Sequence, residues 1–302
     1  MYNGIINIYK EAGFTSHDVV AKLRGILKQK KIGHTGTLDP EAVGVLPVCL
    51  GKGTKVCDLL TDKDKVYETV MRLGVVTDTQ DMTGNVLRES PVHVTREELE
   101  AVMHQFLGDY DQIPPMYSAL KVQGKKLYEL AREGRVVERK PRRVQILGLE
   151  LLGLEEDGIH VHMRVHCSKG TYIRTLCHDI GERLGCGAAM EKLIRTRVGV
   201  FKIEDALTLA QVEDCVQNQQ IDHLIRSIDS MFSMWPAGRT GAAVDRLLYN
   251  GNMLYRKDMV LEEKREPESG EKFRVYDSQG QFCAVYVYDG RHRMFKNEKM
   301  FV

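Results

Sequence analysis

Residues Ile159 to Cys167 alternate without a break. Ile159, Val161, Met163, Val165 and Cys167 fall on one side; His160, His162, Arg164 and His166 fall on the other. A period of two marks a strand with one face buried and the other in water. The next segment changes period. From Tyr172 to Leu184 the apolar residues Ile173, Leu176, Cys177 and Ile180 recur at helical spacing, after a break at Ser168-Lys169-Gly170-Thr171. Gly181 inside that helix costs it about 1 kcal/mol against alanine. A half-wet strand leading into an amphipathic helix requires a sheet that carries helices.

Other segments fit the same plan. Thr15 to Asp18 reads as a capping box, followed by a stripe of Val19, Val20, Leu23, Ile26 and Leu27, with Lys22, Arg24 and Lys28 off it. Thr95 and Glu98 form a second box ahead of Leu99, Val102, Met103 and Phe106, and Thr208 to Gln211 starts a further helix. Val66 to Val75 reads as a strand. Residues 32–55, rich in glycine and holding two prolines, read as loop, short strand and turn. Residues 108–143 read as a mobile insertion with one short helix, Leu127 to Arg132. Trp235 to Gly238 reads as a linker. Beyond it Phe273–Asp277, Phe282–Tyr288 and Arg291–Phe295 are expected as strands, with turns at Ser278–Gln281 and Asp289-Gly290. The expected fold is therefore α+β: a mixed, largely antiparallel sheet with flanking helices over residues 1–237, then a small β-rich domain over 238–302.

Composition removes several classes of function. With 302 residues and 43% hydrophobic residues the chain can bury a real core. No run of 18 apolar residues offers a membrane span. The start, Met1 to Lys10, lacks a basic segment followed by a long apolar run, so a cytoplasmic protein is expected. Seven cysteines without a CxxC pair argue against a disulfide framework or a zinc ribbon. Gly44 to Lys52 has the wrong spacing for a phosphate loop, and no GxGxxG follows a strand. His160, His162 and His166 share a face, but no carboxylate or CxxC nearby completes a metal set, so no metal is expected. The net charge of +1 hides local asymmetry. Lys121 to Arg143 holds nine basic residues and three Glu; Lys22 to Lys31 holds five basic residues and no acid. Such tracts can follow a phosphate backbone.

Two segments carry candidate chemistry. Gly33-His34-Thr35-Gly36-Thr37-Leu38-Asp39-Pro40 combines a glycine-rich loop, a histidine and an aspartate biased toward extended backbone by the following proline. Taken alone, Asp-Pro is also an ordinary turn opener. In the second, Cys167 to Leu176, Tyr172 and Arg174 stand near a helix N-terminus. An arginine there can pair with a carboxylate and hold it ionised.

Together these blocks resemble the bacterial tRNA pseudouridine synthase B family. The resemblance runs through Lys10–Val20, Gly33–Pro47, the turn Asp78–Gly84, Gln112–Gly134, Cys167–Gly185 and Leu193–Phe201, most of residues 4–205. Glu11 and Ile194 depart from it, standing where the family usually has Pro and Arg. The resemblance implies that Asp39 is the catalytic aspartate, Arg174 its partner, and Tyr67 the residue stacked on a flipped base. It implies His34, Tyr172 and Leu193 as further pocket residues. Lys121, Lys125, Lys126, Arg142, Arg143, Lys169, Arg195 and Arg197 become candidate RNA contacts, with the insertion at about 114–143. A flipped base needs an aromatic platform and an apolar wall. The implied reaction turns uridine 55 in the T loop of tRNA into pseudouridine. It implies no cofactor and no protein partner, a monomer, and a PUA-like RNA-binding C-terminal domain. Two other readings stand beside it: a guide-RNA-dependent relative, and a non-catalytic RNA-binding protein.

Overall fold

The computed structural model describes residues 1–302 apart from 123 and 264. Strands β1 (Gly4–Lys10), β2 (Ile32–His34), β3 (Val43–Leu50) and β4 (Lys65–Leu73) come first. A hairpin of β5 (Val75–Thr77) and β6 (Val86–Glu89) follows, then β7 (Gly108–Gln112) and a second hairpin, β8 (Lys121–Val122) and β9 (Lys125–Lys126). The long strands β10 (Arg142–Leu154), β11 (His160–Cys167) and β12 (Ala188–Val198) lead to the short β13 (Phe201–Lys202). The main sheet runs β1-β3-β12-β4-β11-β10-β7, with β2 on β3 and β13 on β12. Every pairing in it is antiparallel except β12 with β3. The expected α+β sheet is present.

Helices cover it unevenly. On β1 and β3, Ile6, Ile8, Leu46, Val48 and Leu50 pack against helix α1 (Ser16–Ile26) and against Leu209 and Val212 of a later helix. The capping boxes at Thr15/Asp18 and Thr95/Glu98 are formed, and the second starts a helix at Arg96–His104. That helix and the one at Ile173–Leu184 cover β4, β11 and β12 through Leu99, Met103, Leu176, Cys177 and Ile180. The far face of β11 is wet, as its alternation requires: Arg164 pairs with Glu68 and Glu150, and His166 with Asp64. In chain order the helices are α1, α2 (Cys57–Thr61), α3 (Arg96–His104), α4 (Leu127–Arg132), α5 (Ile173–Leu184), α6 (Leu209–Gln217) and α7 (Asp245–Tyr249).

Four expectations shift. Residues 43–50 form an eight-residue strand with seven residues buried, longer than the short strand expected between loop and turn. Burial on both faces removes the alternation by which a strand is read. Pro47 fits because its nitrogen faces away from β1, on the edge where β2 has already ended, so no ladder bond is lost; its carbonyl on that edge accepts from Thr35. Residues 108–112 belong to the main sheet as β7, paired with Arg142–Ile146, so Arg142 and Arg143 open β10 instead of lying in the insertion. The insertion hangs between these two neighbouring strands. Its small core is Met116, Leu127 and Leu130, and its helix falls at Leu127–Arg132 as read.

Trp235 to Gly238 is packed, not a free linker: Trp235 stacks on Phe232 at 5.2 Å, and Ala237 opens β14 (Ala237–Thr240). The second sheet adds β15 (Leu254–Tyr255), β16 (Met259–Leu261), β17 (Lys272–Tyr276), β18 (Phe282–Asp289) and β19 (Met294–Met300), ordered β15-β19-β18-β17-β14-β16. The last strand begins three residues later than Arg291, because Gly290 to Arg293 make the turn. Val285 and Phe301 of this region share one apolar cluster with Ile5, Val45, Val56, Phe201 and Phe232 of the larger sheet. No helix among the described residues is long and apolar enough to cross a membrane.

Candidate active site

The loop after β2 carries Asp39; the end of β1, the turn after β5, the base of the insertion and the start of α5 surround it, with Tyr67 of β4 and Leu193 of β12 in the apolar cluster beneath. The loop leaves β2 at His34 and returns to the sheet at β3. Inside it Ser16 of α1 and Leu38 fix the backbone, the Leu38 N–H donating to Ser16 Oγ at 3.0 Å. Lys10 holds the other side. Its buried ammonium donates to the carbonyls of Pro40 at 2.8 Å and Glu11 at 3.0 Å. Burial pulls its pKa down to about 8, so at neutral pH it is still mostly a cation beside the aspartate.

Arg174 sits on the first turn of α5, buried, and reaches Asp39 through Nε at 3.1 Å. Its remaining donors go to Asp81 at 3.4 Å, the Thr79 carbonyl at 3.1 Å and the Tyr117 carbonyl at 2.8 Å. Two carboxylates thus flank one guanidinium. Asp81 was not singled out from the sequence. Its signal is the local pattern of Thr79 and Thr83, whose hydroxyls both donate to Asp81 Oδ1, in a turn closed by Gly84. A Cβ on Gly84 would lie 2.3 Å from both Asp78 Oδ1 and Thr79 Oγ1, so any larger residue there would displace the side chains that order the turn. The Tyr117 carbonyl comes from the base of the insertion, a backbone group that residue types cannot announce.

The Asp39 side chain keeps 42% of its surface open, so its carboxylate can be reached from outside. Crowding by protein nevertheless pushes its pKa above the ordinary carboxylate value; Arg174 opposes this, Asp81 adds to it, and Lys10 opposes it. The expectation was of a carboxyl held ionised by its arginine. The arginine is there, but it is shared with Asp81, and desolvation prevails.

Tyr67 lies in the middle of β4, buried, with Val165 opposite on β11 and Arg195 opposite on β12. Burial raises the pKa of its hydroxyl, and the neighbouring Arg195 guanidinium opposes the rise. Leu193, also buried, joins Tyr67, Leu38 and Ile173 in one apolar cluster. Tyr172 is the residue before α5. Its N–H and carbonyl are both taken by the amide of the buried Gln112 of β7, at 2.8 and 2.9 Å. His34 meets His17 edge-on, ring centroids 5.4 Å apart. Burial, then His17 and Arg195, lower the His34 pKa, so the ring is neutral at pH 7. Its buried Nδ1 has no partner among the described residues.

The basic candidates divide. Arg195 is only 1% exposed: its Nε donates to the Val45 carbonyl at 2.7 Å and its NH2 to the Gly36 carbonyl at 3.3 Å. It cannot meet an RNA phosphate at the surface; it is a scaffold of the pocket. Lys169 pairs with Asp62, Arg143 with Asp111, and Arg197 with Asp64. Arg142 is exposed at the start of β10, and Lys125 pairs with Glu133 at 3.3 Å. Lys121 and Lys126 stand directly opposite each other across β8 and β9. Two like charges so placed repel unless an anion lies between them. The three strand histidines meet carboxylates: His160 meets Asp157 and Glu191, His162 meets Glu155, and His166 meets Asp64. All seven cysteines are free thiols.

Residues 24–173 match the model of the TruB family pseudouridylate synthase N-terminal domain, and residues 174–233 that of the tRNA pseudouridylate synthase B C-terminal domain. A tRNA pseudouridine synthase B from Lachnoclostridium phytofermentans is 55% identical over 306 residues, covering 99% of this chain and 100% of that protein. One from Clostridium perfringens is 44% identical over 301 residues, covering 99% of each. Among solved structures, one of a Cbf5-Nop10-Gar1 complex is similar at a TM-score of 0.72 and 28% identity, covering 99% of this chain and 85% of that one.

Proposed function

Because the chain belongs to the TruB family of pseudouridylate synthases, we propose that Asp39, Arg174 and Tyr67 carry its chemistry. The enzyme isomerises uridine to pseudouridine in the T loop of tRNA. The N1–C1′ bond breaks, the uracil turns, and C5 bonds to C1′; the proton lost from C5 is balanced by one gained at N1. Composition is unchanged, so no redox partner or group donor enters.

The observation that carries the assignment is one reachable carboxylate, Asp39, set against a buried arginine at 3.1 Å. Arg174 fixes the carboxylate's direction. Lys10 and Ser16 fix the loop it stands on. Tyr67 and Leu193 supply an aromatic and an apolar surface for an extruded base. His34, neutral, and Tyr172 frame the opening. We assign Lys121, Lys125, Lys126 and Arg142 to the grip on tRNA, and expect slower amide exchange across residues 121–143 when tRNA is added. Lys169, Arg143 and Arg197 would have to leave their carboxylates to join them.

The finer reading is a stand-alone monomer in the cytoplasm acting at position 55, with no guide RNA and no protein partner. Its support is likeness along the whole length to tRNA pseudouridine synthase B proteins, at 55% and 44%, against 28% for the Cbf5 chain. The test is purified protein with an unmodified tRNA transcript, mapped by carbodiimide labelling and primer extension. A single stop at the T-loop uridine is expected with the wild type and none with Asp39→Asn. Pseudouridine formed by a folded Asp39→Asn protein would remove Asp39 from the mechanism. A need for added guide RNA would remove the stand-alone reading.

A further inference from the structure

Four lysines converge where the two sheets meet, away from every residue given a role above. Lys31 ends the basic tract 22–31, and its carbonyl accepts from the Gly51 N–H at 2.9 Å. Lys52 and Lys55 stand three residues apart on the 3-10 helix Gly51–Val56, a spacing that stacks side chains one above the other. The Lys55 ammonium donates to the Met300 carbonyl at 2.9 Å, which brings in Lys299 next to it on β19. Among the described residues none of the four forms an ion pair. Glu298, next to Lys299, is engaged with Lys272; Asp58, three residues after Lys55 at the start of α2, is the one nearby acid without an ion pair among the described residues, a single carboxylate against four ammonium groups. Burial lowers the Lys55 pKa, and so do Lys31, Lys52 and Lys299, which shows the four ammonium groups sharing one field.

The ridge is held rigidly. The buried Gln29 accepts from the Tyr2 N–H at 2.8 Å and donates to the carbonyls of Tyr2 and Lys31. Asn3 Oδ1 accepts from the Lys52 N–H at 2.8 Å. Like charges fixed together without a paired counter-charge repel, and a multivalent anion laid across them relieves that repulsion.

The position says which anion. Lys31 lies three extended residues from His34, about 10 Å along β2 from the mouth of the pocket. Lys299 comes from the other sheet, so the ligand must be long enough to touch both. We propose that Lys31, Lys52, Lys55 and Lys299 form a second anchoring site for the tRNA phosphate backbone, outside the pocket that receives the uridine. This rests on tRNA being the substrate. It would also explain why the small sheet is fixed to the larger one: the ridge exists only while the two are in register.

The test compares two double variants matched in charge and in sheet. Lys31→Gln/Lys299→Gln removes one lysine of the ridge from each sheet. Lys192→Gln/Lys257→Gln removes one exposed lysine from each elsewhere. Binding of a full-length unmodified tRNA transcript is measured across salt concentrations, with the single-turnover rate at saturating enzyme. The ridge variant should bind roughly tenfold or more weakly near 0.1 M salt, with a log–log salt slope flatter by about 1.5. The control should stay within about twofold, and the saturating rate of the ridge variant should equal wild type. Equal affinities and slopes for the two variants would overturn the proposal. So would unchanged tRNA binding with lost binding to anionic lipid vesicles, which would make the ridge a membrane contact. Failure of the tRNA reading looks different: the wild type itself would make no pseudouridine.

Discussion

Asp39 is held in a state the fold disfavours. A carboxyl whose folded pKa is raised stabilises the fold in its protonated form; that contribution is complete below the unfolded pKa, near 4, and is lost as pH rises through the folded value. Above that value the ionised form of Asp39 costs the native state stability. Asp39→Asn should be inactive yet melt at or slightly above wild type at pH 7, with the gain shrinking as pH falls through the folded value and gone below about 4; thermal melts across that range check this. Arg195 makes a different case: expected among the RNA contacts, it is buried against the pocket. Its guanidinium ties Gly36 to Val45 and lies against Tyr67. Arg195→Met should reduce turnover by about a hundredfold or more and shift the titration of the Tyr67 hydroxyl seen by ultraviolet absorption. Arg195→Lys should recover part of the rate, whereas tRNA affinity should stay near wild type in both. A large loss of affinity with turnover intact would return Arg195 to the RNA contacts. Asp39 and Arg174, singled out through the resemblance and not through their local segments alone, do lie side by side at 3.1 Å. Asp81 and the place of Arg195 were not legible in the sequence, because burial and partner are set by strands far apart in the chain.

At the level of elements, the periodic segments were read well. Alternation gave β11, and the capping boxes gave the starts of α1, α3 and α6. The non-periodic segments were read short or missed: β3 is buried on both faces, and β7 is short, polar and next to the insertion. Gly181 shows why a local rule can mislead. Read along the chain it is a weak point in α5. In the fold its absent Cβ is what lets α5 approach β12, since a Cβ there would lie 2.2 Å from the Ala188 nitrogen. Gly181→Ala would strengthen an isolated helix by about 1 kcal/mol. In this protein it should destabilise by about 1–3 kcal/mol, measured by denaturant unfolding, because helix and strand must move apart. Since Arg174 rides on the same helix, activity should fall with it.

Across the whole molecule the two sheets do not behave as beads on a string. Trp235, Phe232, Phe282 and Phe301 pack on one another, with Phe282 and Phe301 rings 5.1 Å apart. Val285 and Phe301 complete a cluster begun by Ile5 on β1. Phe301→Ala should cost about 3–5 kcal/mol and lower the melting of the entire chain in one calorimetric transition. Two separated transitions, with only the smaller one shifted, would show the sheets to be independent.

That shared cluster also sets a timetable. Phe301 emerges from the ribosome almost three hundred residues after Ile5. At about 5–20 residues per second, the first strand waits some tens of seconds for the aromatic ring that seals it. Through that interval Val56, Phe201 and Phe232 can cover one side of β1 and β3 in part, but the place of Val285 and Phe301 stays open to water. Slowing translation should then lengthen the exposure of that gap until Phe301 arrives, not help the chain fold.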